Sequence, residues 1–386
     1  MRRYKHADWA RNLGFVLIAV EGFLNASSSI AGEAKPGWEA EWKKTVAAAK
    51  QEGQVTIYGT SPMHAIAEAG VFQKAYPGIK VVTLAPAPAE AFQRLMAERR
   101  VGRYLADFYT AGATSPLRLL DTKVLDPIKP LLILPEVLDE SKWWEGRHHY
   151  NDHEQKYILV YTGNPQLGTP SVNTNLVNQK EIKSFWDFLH PKWKGKIESR
   201  DMRIPGAGSV NTLFFYHNPS LGPKFIRRLF GEMDITLFRD IRQGIDWLGT
   251  GKFAICFYCS NADTDLAKQQ GLPVSPVDFM LKEGATISSH AGAAAFVSKA
   301  PHPNAAKVFI NWLLSREGQM TSQETGRGRV NSRRIDISKE MIPPVGRLVK
   351  GVNYLDVENP EMNNLEPVLK IVEEALAENE KRKKGQ

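Results

Sequence analysis

Long apolar runs are missing from this chain. After Val20 no stretch approaches the roughly 18 apolar residues that a membrane-crossing helix requires, so the expectation is a protein that does not span a membrane. Cysteine is nearly absent: Cys256 and Cys259 are the only two in 386 residues, and neither follows the apolar N-terminal core, which excludes a lipid-anchored leader. No dense basic patch interleaved with aromatics and no nucleic-acid motif occurs. The formal net charge of +8 includes Lys381, Arg382, Lys383 and Lys384, gathered at the end of a glutamate-rich helix where cations suit the helix dipole. Nucleic acid is therefore not an expected partner. There is no serine at a nucleophile elbow, no paired-histidine zinc helix and no carboxylate pair singled out by spacing. Catalytic residues, cofactors and metal ligands are accordingly expected to be none, and no repeat of fixed period is found.

What is present is ordinary globular material, 42% hydrophobic and 24% charged, in a chain long enough for two domains with full cores. Arg2, Arg3, Lys5 and Arg11 precede an apolar core over residues 13–20, and small residues follow over 26–34. This predicts an export signal over 1–34, with cleavage sites at Ser29-Ile30-Ala31 or Gly32-Glu33-Ala34, and a periplasmic mature protein. Glu21 interrupts the core, and Arg2-Arg3 lacks the flanks of a twin-arginine signal. Helix and strand patterns then alternate. Trp38, Trp42, Val46 and Ala49 make a helix face ending at Gly53, residues 54–60 alternate and are β-branched, and Ser61-Pro62 opens the next helix. Repeated β-α-β units predict an α/β fold with mainly parallel sheets flanked by helices. Trp143-Trp144 with residues 147–156, including His148, His149, Asp152, His153 and Glu154, reads as a polar surface segment.

Residues 284–320 join a short buried strand (293–297), a proline turn at Pro301-His302-Pro303, a helix with Asn304 as N-cap and Val308, Phe309, Trp312 and Leu313 on one face, and a further turn capped by Ser315. The run AAAFVSKAPHPNAAKVFINWLLSREGQ resembles a segment of the periplasmic solute-binding proteins of ABC importers, of the ferric-iron type. VTIYGTS, ADFYTAG, SVNTNLV, SFWDFLHPKWKGKI and GTGKFAI agree in order, so that the resemblance covers most of residues 38–330. It implies a type II two-lobed periplasmic-binding fold joined by two crossovers, near Ser171 and Ala285. The N-terminal lobe is expected over 35–170 and 286–320, the C-terminal lobe over 171–285, and the helices of 321–386 on the C-terminal lobe, the last of them carrying Leu365, Leu369, Val372 and Leu376 at helical spacing. The implied partners are a small-molecule or anion ligand and the importer permease, with the protein a monomer.

In open α/β sheets ligands sit beyond the carboxyl ends of strands. Gly59-Thr60-Ser61 and Thr110-Ala111-Gly112 in the first lobe, and Gly206-Ala207-Gly208-Ser209 in the second, each offer backbone N–H groups and a hydroxyl near a helix N-terminus, which suits an anion. Taken singly, each also reads as a plain N-cap or turn; their recurrence on both lobes of the resembled fold points to a shared cleft. Thr60, Ser61, Thr110, Gly112, Gly208 and Ser209 are thus candidate ligand contacts, with Arg203 as a cation, Tyr258, Ser260 and Asn261 at a strand-to-helix junction, and His290 near the lobe boundary.

At that junction the iron carriers of the resembled group have two consecutive tyrosines, whereas this chain reads Asn261-Ala262 with only Tyr258 nearby. Ferric iron favours phenolate and carboxylate oxygen, so an anion is expected in preference to iron, which stays the alternative cargo. A second alternative is a thiol oxidoreductase using Cys259. Cysteines three apart on a strand point to opposite faces, so a disulfide requires the strand to end or bend at Tyr258; two unpaired cysteines, a disulfide, and redox or soft-metal chemistry all remain open.

Overall fold

The structure, a computed structural model, describes residues 36–84, 88–203, 207–326 and 330–384, and the expected export signal over 1–34 lies outside the described residues. Short apolar and β-branched runs bounded by glycine, proline or helix caps make its strands. The first six are β1 (Gln54–Tyr58), β2 (Lys80–Leu84), β3 (Phe108–Ala111), β4 (Leu125–Asp126), β5 (His149–Tyr150) and β6 (Ile158–Val160). There follow β7 (Asn164–Gln166), β8 (Ser171–Asn173), β9 (Ile197–Arg200), β10 (Thr236–Phe238), β11 (Ile255–Phe257) and β12 (Val274–Pro276). The last are β13 (Ala285–Ser288), β14 (Ala293–Val297) and β15 (Tyr354–Leu355).

A seven-stranded sheet has the order β2-β1-β3-β14-β6-β5, with β4 also paired to β14. A five-stranded sheet has the order β10-β9-β11-β8-β12, and β15-β13-β7 form a third. β1 runs parallel to β2 and β3, and β9 parallel to β10 and β11, as helical crossovers require. β14 returns antiparallel to β3 and β6, and β8 is antiparallel to β11 and β12, so each large sheet is mixed.

Both large sheets are covered on both faces, and the period of two along each strand decides which core a residue joins. In the first sheet Val55, Ile57, Phe108 and Phe296 meet Phe309 and Trp312, while Tyr58, Tyr109 and Ala295 meet Leu95 and Leu119 on the other side. In the second, Ile197, Ile255 and Phe257 join a phenylalanine-rich core with Phe185, Phe214 and Phe225, while Cys256 and Phe238 pack with Leu248 and Val274. The helix Arg316–Thr325 packs on Pro303–Leu314 and Ser61–Glu68, so residues 321–325 lie with the first sheet's helices. The helix Glu366–Lys384 packs on Gly222–Glu232 and places Val368, Val372 and Ala375 in the second core. Among the described residues no helix is long and apolar enough to cross a membrane.

Two local expectations are corrected. The helix Pro303–Leu314 starts one residue before Asn304, and its free N–H groups are taken by another helix: Glu52 accepts from Asn304 N at 3.2 Å and from Ala305 N at 2.7 Å. The segment read as polar surface is only half exposed. His149 lies in β5 against β6, His148 is buried, and buried Asp152 accepts from the N–H groups of Lys156, Tyr157 and Ile158, whereas Arg147, His153, Glu154, Gln155 and Lys156 are exposed.

Asn311 is the polar joint of the first lobe. It is fully buried, its Oδ1 accepts from Ile133 N at 2.8 Å and Leu134 N at 3.0 Å, and its Nδ2 donates to the carbonyls of Leu131 and Lys307, each at 2.8 Å. Removing it leaves several buried backbone groups without partners, each costing about 1–3 kcal/mol. Asn311→Ala is therefore expected to lower stability by roughly 3 kcal/mol in urea denaturation, with the slope of the transition unchanged.

Candidate functional site

The loops that follow β1 and β3 are locked together by small residues. A Cβ on Gly59 would overlap the Thr110 hydroxyl, and a Cβ on Gly112 would sit 2.6 Å from the His290 carbonyl oxygen, so both positions need glycine for close approach. Ala113 N donates to Ser289 Oγ at 2.8 Å, completing the join between the β3 loop and the turn holding His290. Thr60 is the N-cap residue of the helix Ser61–Glu68 but makes no side-chain cap bond, and the hydroxyls of Thr60 and Thr110 are buried without partners. The Ser61 side chain lies outside the described set.

Two cavities lie on either side of the Gln166–His290 contact. The first, of 370 Å³, is lined by Pro62, Ile66, Tyr161, Thr162, His290 and Val330 among others. The second, of 290 Å³, is lined on the second lobe by Arg200, Asn211, Tyr258, Ser260 and Asn261 and on the crossing by Gln166. Gln166 Nε2 and His290 Nε2 are 3.1 Å apart, so one hydrogen bond links the wall of one cavity to the wall of the other. His290 holds this place with a left-handed φ of 48°. Of the expected contacts, Tyr258, Ser260 and Asn261 come together on the second cavity, His290 faces the first, Gly112 packs on the His290 backbone, and Thr110 packs against Gly59, next to Thr60. Gly208 and Ser209 lie in the first turn of the helix Ala207–His217, which carries Asn211; Gly206 lies outside the described residues.

Arg203 is placed differently from the expectation. Its guanidinium forks onto Asp201, with Nε to Oδ1 and Nη2 to Oδ2 both at 2.8 Å, and this bond holds the Asp201 carboxyl below its usual range. Arg200, at the end of β9, lines the second cavity instead; its Nε is buried without a partner, and no acidic residue is among the described residues lining that cavity. Arg200, Asn211 and Gln166 were not singled out in the sequence. The one signal for Arg200 is its position at the carboxyl end of a parallel strand.

The junction after β11 is bent at Tyr258, whose φ of 59° ends the strand and brings Cys259 back over Cys256. The two cysteines form a disulfide with Cα atoms 5.8 Å apart, so of the alternatives left open in the sequence the structure has the crosslink. Ser260 then caps the helix Asn261–Gln269 by accepting from Asp263 N. The Tyr258 ring is buried, its hydroxyl accepts from Thr212 Oγ1 at 3.2 Å, and burial pushes the phenol well above its ordinary pKa.

Glu198 escaped notice in the sequence and is the least expected group here. It pairs across from Cys256 in the β9–β11 register, is fully buried, and has no partner for either carboxylate oxygen. Burial pushes its carboxyl up to about 8, opposed weakly by Lys252. Its oxygen and the two sulfurs lie within 4.8 Å of one another, the spacing of a metal site, but the sulfurs are bonded to each other and offer no thiolate.

Two lobes with hydroxyl-lined cavities at their strand ends and paired crossings define a binding fold that holds a small solute. The sequence profile of bacterial extracellular solute-binding proteins matches residues 55–320, and the chain belongs to that family. It is thus a solute-binding component of an ABC transporter, a transport protein and not an enzyme, whose partners are a small-molecule ligand and a permease. No curated protein matches its sequence. Among solved structures, it resembles iron-bound HitA from Pseudomonas aeruginosa at 16% identity, TM-score 0.53, over 83% of this chain and 99% of that one. The Trichodesmium protein IdiA (FutA) with iron and citrate is similar at 16% identity, TM-score 0.59, over 84% and 99%. The periplasmic binding protein AfuA from Actinobacillus pleuropneumoniae, with fructose-6-phosphate bound, is similar at 16% identity, TM-score 0.53, over 85% and 99%. All three share the two-lobed fold.

A carboxyl raised by folding from 4.5 to about 8 binds its proton more tightly in the native state, so its stabilising contribution is full below about pH 4.5 and is lost as pH rises through about 8. The difference in unfolding free energy between wild type and Glu198→Gln, measured by urea denaturation without reductant, should therefore move against wild type from about pH 5 to pH 8. An unchanged difference across that range would mean that Glu198 is not neutral in the folded protein.

Proposed function

We propose that this protein captures a small anion in the periplasm, between its lobes, and delivers it to an ABC importer permease. The observation that carries the reading is Arg200: a guanidinium on the cavity wall, with a buried unpartnered Nε and no acidic residue among the described lining. An arginine left unpaired in such a place is matched by a carboxylate or phosphate, which its planar fork binds bidentately. Asn211, Gln166, Ser260 and Asn261 add neutral donors and acceptors of the kind that orient the rest of a polar solute. The sugar phosphate bound by AfuA is a cargo of this chemistry. Thr60, Ser61, Thr110, Gly112, Gly208, Ser209 and His290 complete the proposed site from the facing loops, and hinge closure between the lobes would bring them onto the solute.

Iron, which HitA holds, is disfavoured by the donors present. Ferric ion favours phenolate or carboxylate oxygen, and the described residues lining the second cavity include one such donor, Tyr258, whose phenol is raised by burial and already bonded to Thr212.

Native mass spectrometry of the gently purified protein identifies retained cargo, and thermal unfolding with fructose 6-phosphate, inorganic phosphate, citrate and uncharged fructose tests the class. An anion at a hundredfold excess over its dissociation constant should stabilise by about 2.7 kcal/mol. That gain should disappear in Arg200→Ala, while uncharged fructose gives none. Equal stabilisation by the uncharged sugar, or full binding by Arg200→Ala, would overturn the anion reading. Ferric citrate should leave the protein colourless; a visible charge-transfer band lost in Tyr258→Phe would return it to the iron carriers.

A further inference from the structure

The environment of the Cys256–Cys259 disulfide is unlike that of an inert crosslink. Cys256 is fully buried, while Cys259 is 7% exposed and lines the second cavity, so an attacking thiol can approach only one of the two sulfurs. Phe238, Leu248, Ala267 and Val274 make the surroundings apolar, a setting in which a thiolate is strongly disfavoured. The hydroxyls of Ser171 and Thr264 have both protons engaged, because Thr264 donates to the Ser260 carbonyl at 2.9 Å and Ser171 to Thr264 at 2.9 Å. Glu198, fully buried with both oxygens unpartnered, is the titratable group placed against both sulfurs.

We propose that Cys256–Cys259 is a reducible disulfide in which Glu198 supplies the proton that the Cys256 sulfur needs on reduction and takes it back on oxidation. In the forward direction the thiolate of a dithiol reductant attacks Cys259 Sγ. A mixed disulfide forms, the bond to Cys256 Sγ breaks, and the departing sulfur takes the electron pair together with the Glu198 proton. The second thiol of the reductant then attacks its own sulfur in the mixed disulfide, releasing oxidised cyclic reductant and the Cys259 thiolate. That thiolate is protonated from water in the cavity, and Glu198 regains its proton from solvent. Two electrons pass from reductant to protein. This is a reaction of the protein itself, not turnover, and it requires no solute in the cavity.

The charged groups on the elements packed around this face are Arg200 on β9, Arg242 and Asp246 on the helix Ile241–Gly249, Asp263, Asp265 and Lys268 on the helix Asn261–Gln269, and Lys252 before β11. Of these Lys252 is the one whose charge lowers the Glu198 carboxyl, without overcoming burial. The proton is therefore in place near neutrality and is lost above about pH 8.

The test uses the full chain with dithiothreitol under native conditions, counting protein thiols by mass after alkylation and following the rate from about pH 6 to pH 9. Divided by the concentration of dithiothreitol thiolate, the wild-type rate should fall as pH passes about 8. In Glu198→Gln, which matches the shape of the neutral acid, it should be about a hundredfold lower below that pH and flat across the range. Two thiols should appear while circular dichroism still reports the native fold. Resistance to dithiothreitol until the protein unfolds would overturn the proposal, as would a normalised wild-type rate indifferent to pH, or a Glu198→Gln profile matching wild type. Should Glu198→Gln fail to fold, the wild-type profile decides alone.

Discussion

The fold hangs on the return of one strand. β14, buried along its whole length, is held between β3 and β6 and also pairs with β4. Its neighbour β6 is where the chain leaves the first sheet, so the second sheet is an excursion whose two ends are pinned side by side. Because β14 comes back from that excursion, it lies antiparallel to β3, and its alternating residues feed both cores at once. The helix Pro303–Leu314 follows after a proline turn and covers one face with Val308, Phe309, Trp312 and Leu313. Everything that positions the first-lobe loops, including the contact of Gly112 with His290, is referred to this strand.

The second sheet is governed by a different constraint, set on β9. Period two places Ile197 toward the phenylalanine core, and Glu198 and Arg200 on the opposite side. Among the described residues neither forms an ion pair, although Arg200 also borders a cavity lined by Asp240, Asp246 and Asp263. At the closed end Glu198 meets the disulfide, and at the open end Arg200 meets the cavity. Glu198, buried without a partner, detracts from stability, and perturbed buried carboxyls gather where chemistry or binding is done.

The alternation of helix and strand and the buried strand with its amphipathic helix were legible because they rest on local periodicity. The bend that a disulfide would need at Tyr258 was also legible, since strand geometry demanded it, and the left-handed residue stands there. What escaped the sequence was set by distant partners. Glu52 replaces Asn304 as the source of the helix cap, and pairing with β6 draws His149 into the interior of a segment that looks polar. The choice between Arg200 and Arg203 turned on a neighbouring aspartate capturing the second. Glu198 sits in the hydrophilic run KGKIESRDMR, and only pairing opposite Cys256 buries it.

The crossings themselves carry a mechanical consequence. β7 and β13 are hydrogen-bonded to each other through Thr286–Gln166, Ile287–Pro165 and Ser288–Asn164, and β15 runs alongside β13 as a splint. Two separate tethers would let the lobes swivel, shear and slide in several directions. A ribbon of three hydrogen-bonded strands leaves fewer relative motions open than two separate tethers would, and residues 354–355, far along the chain from both crossings, belong to that constraint through β15.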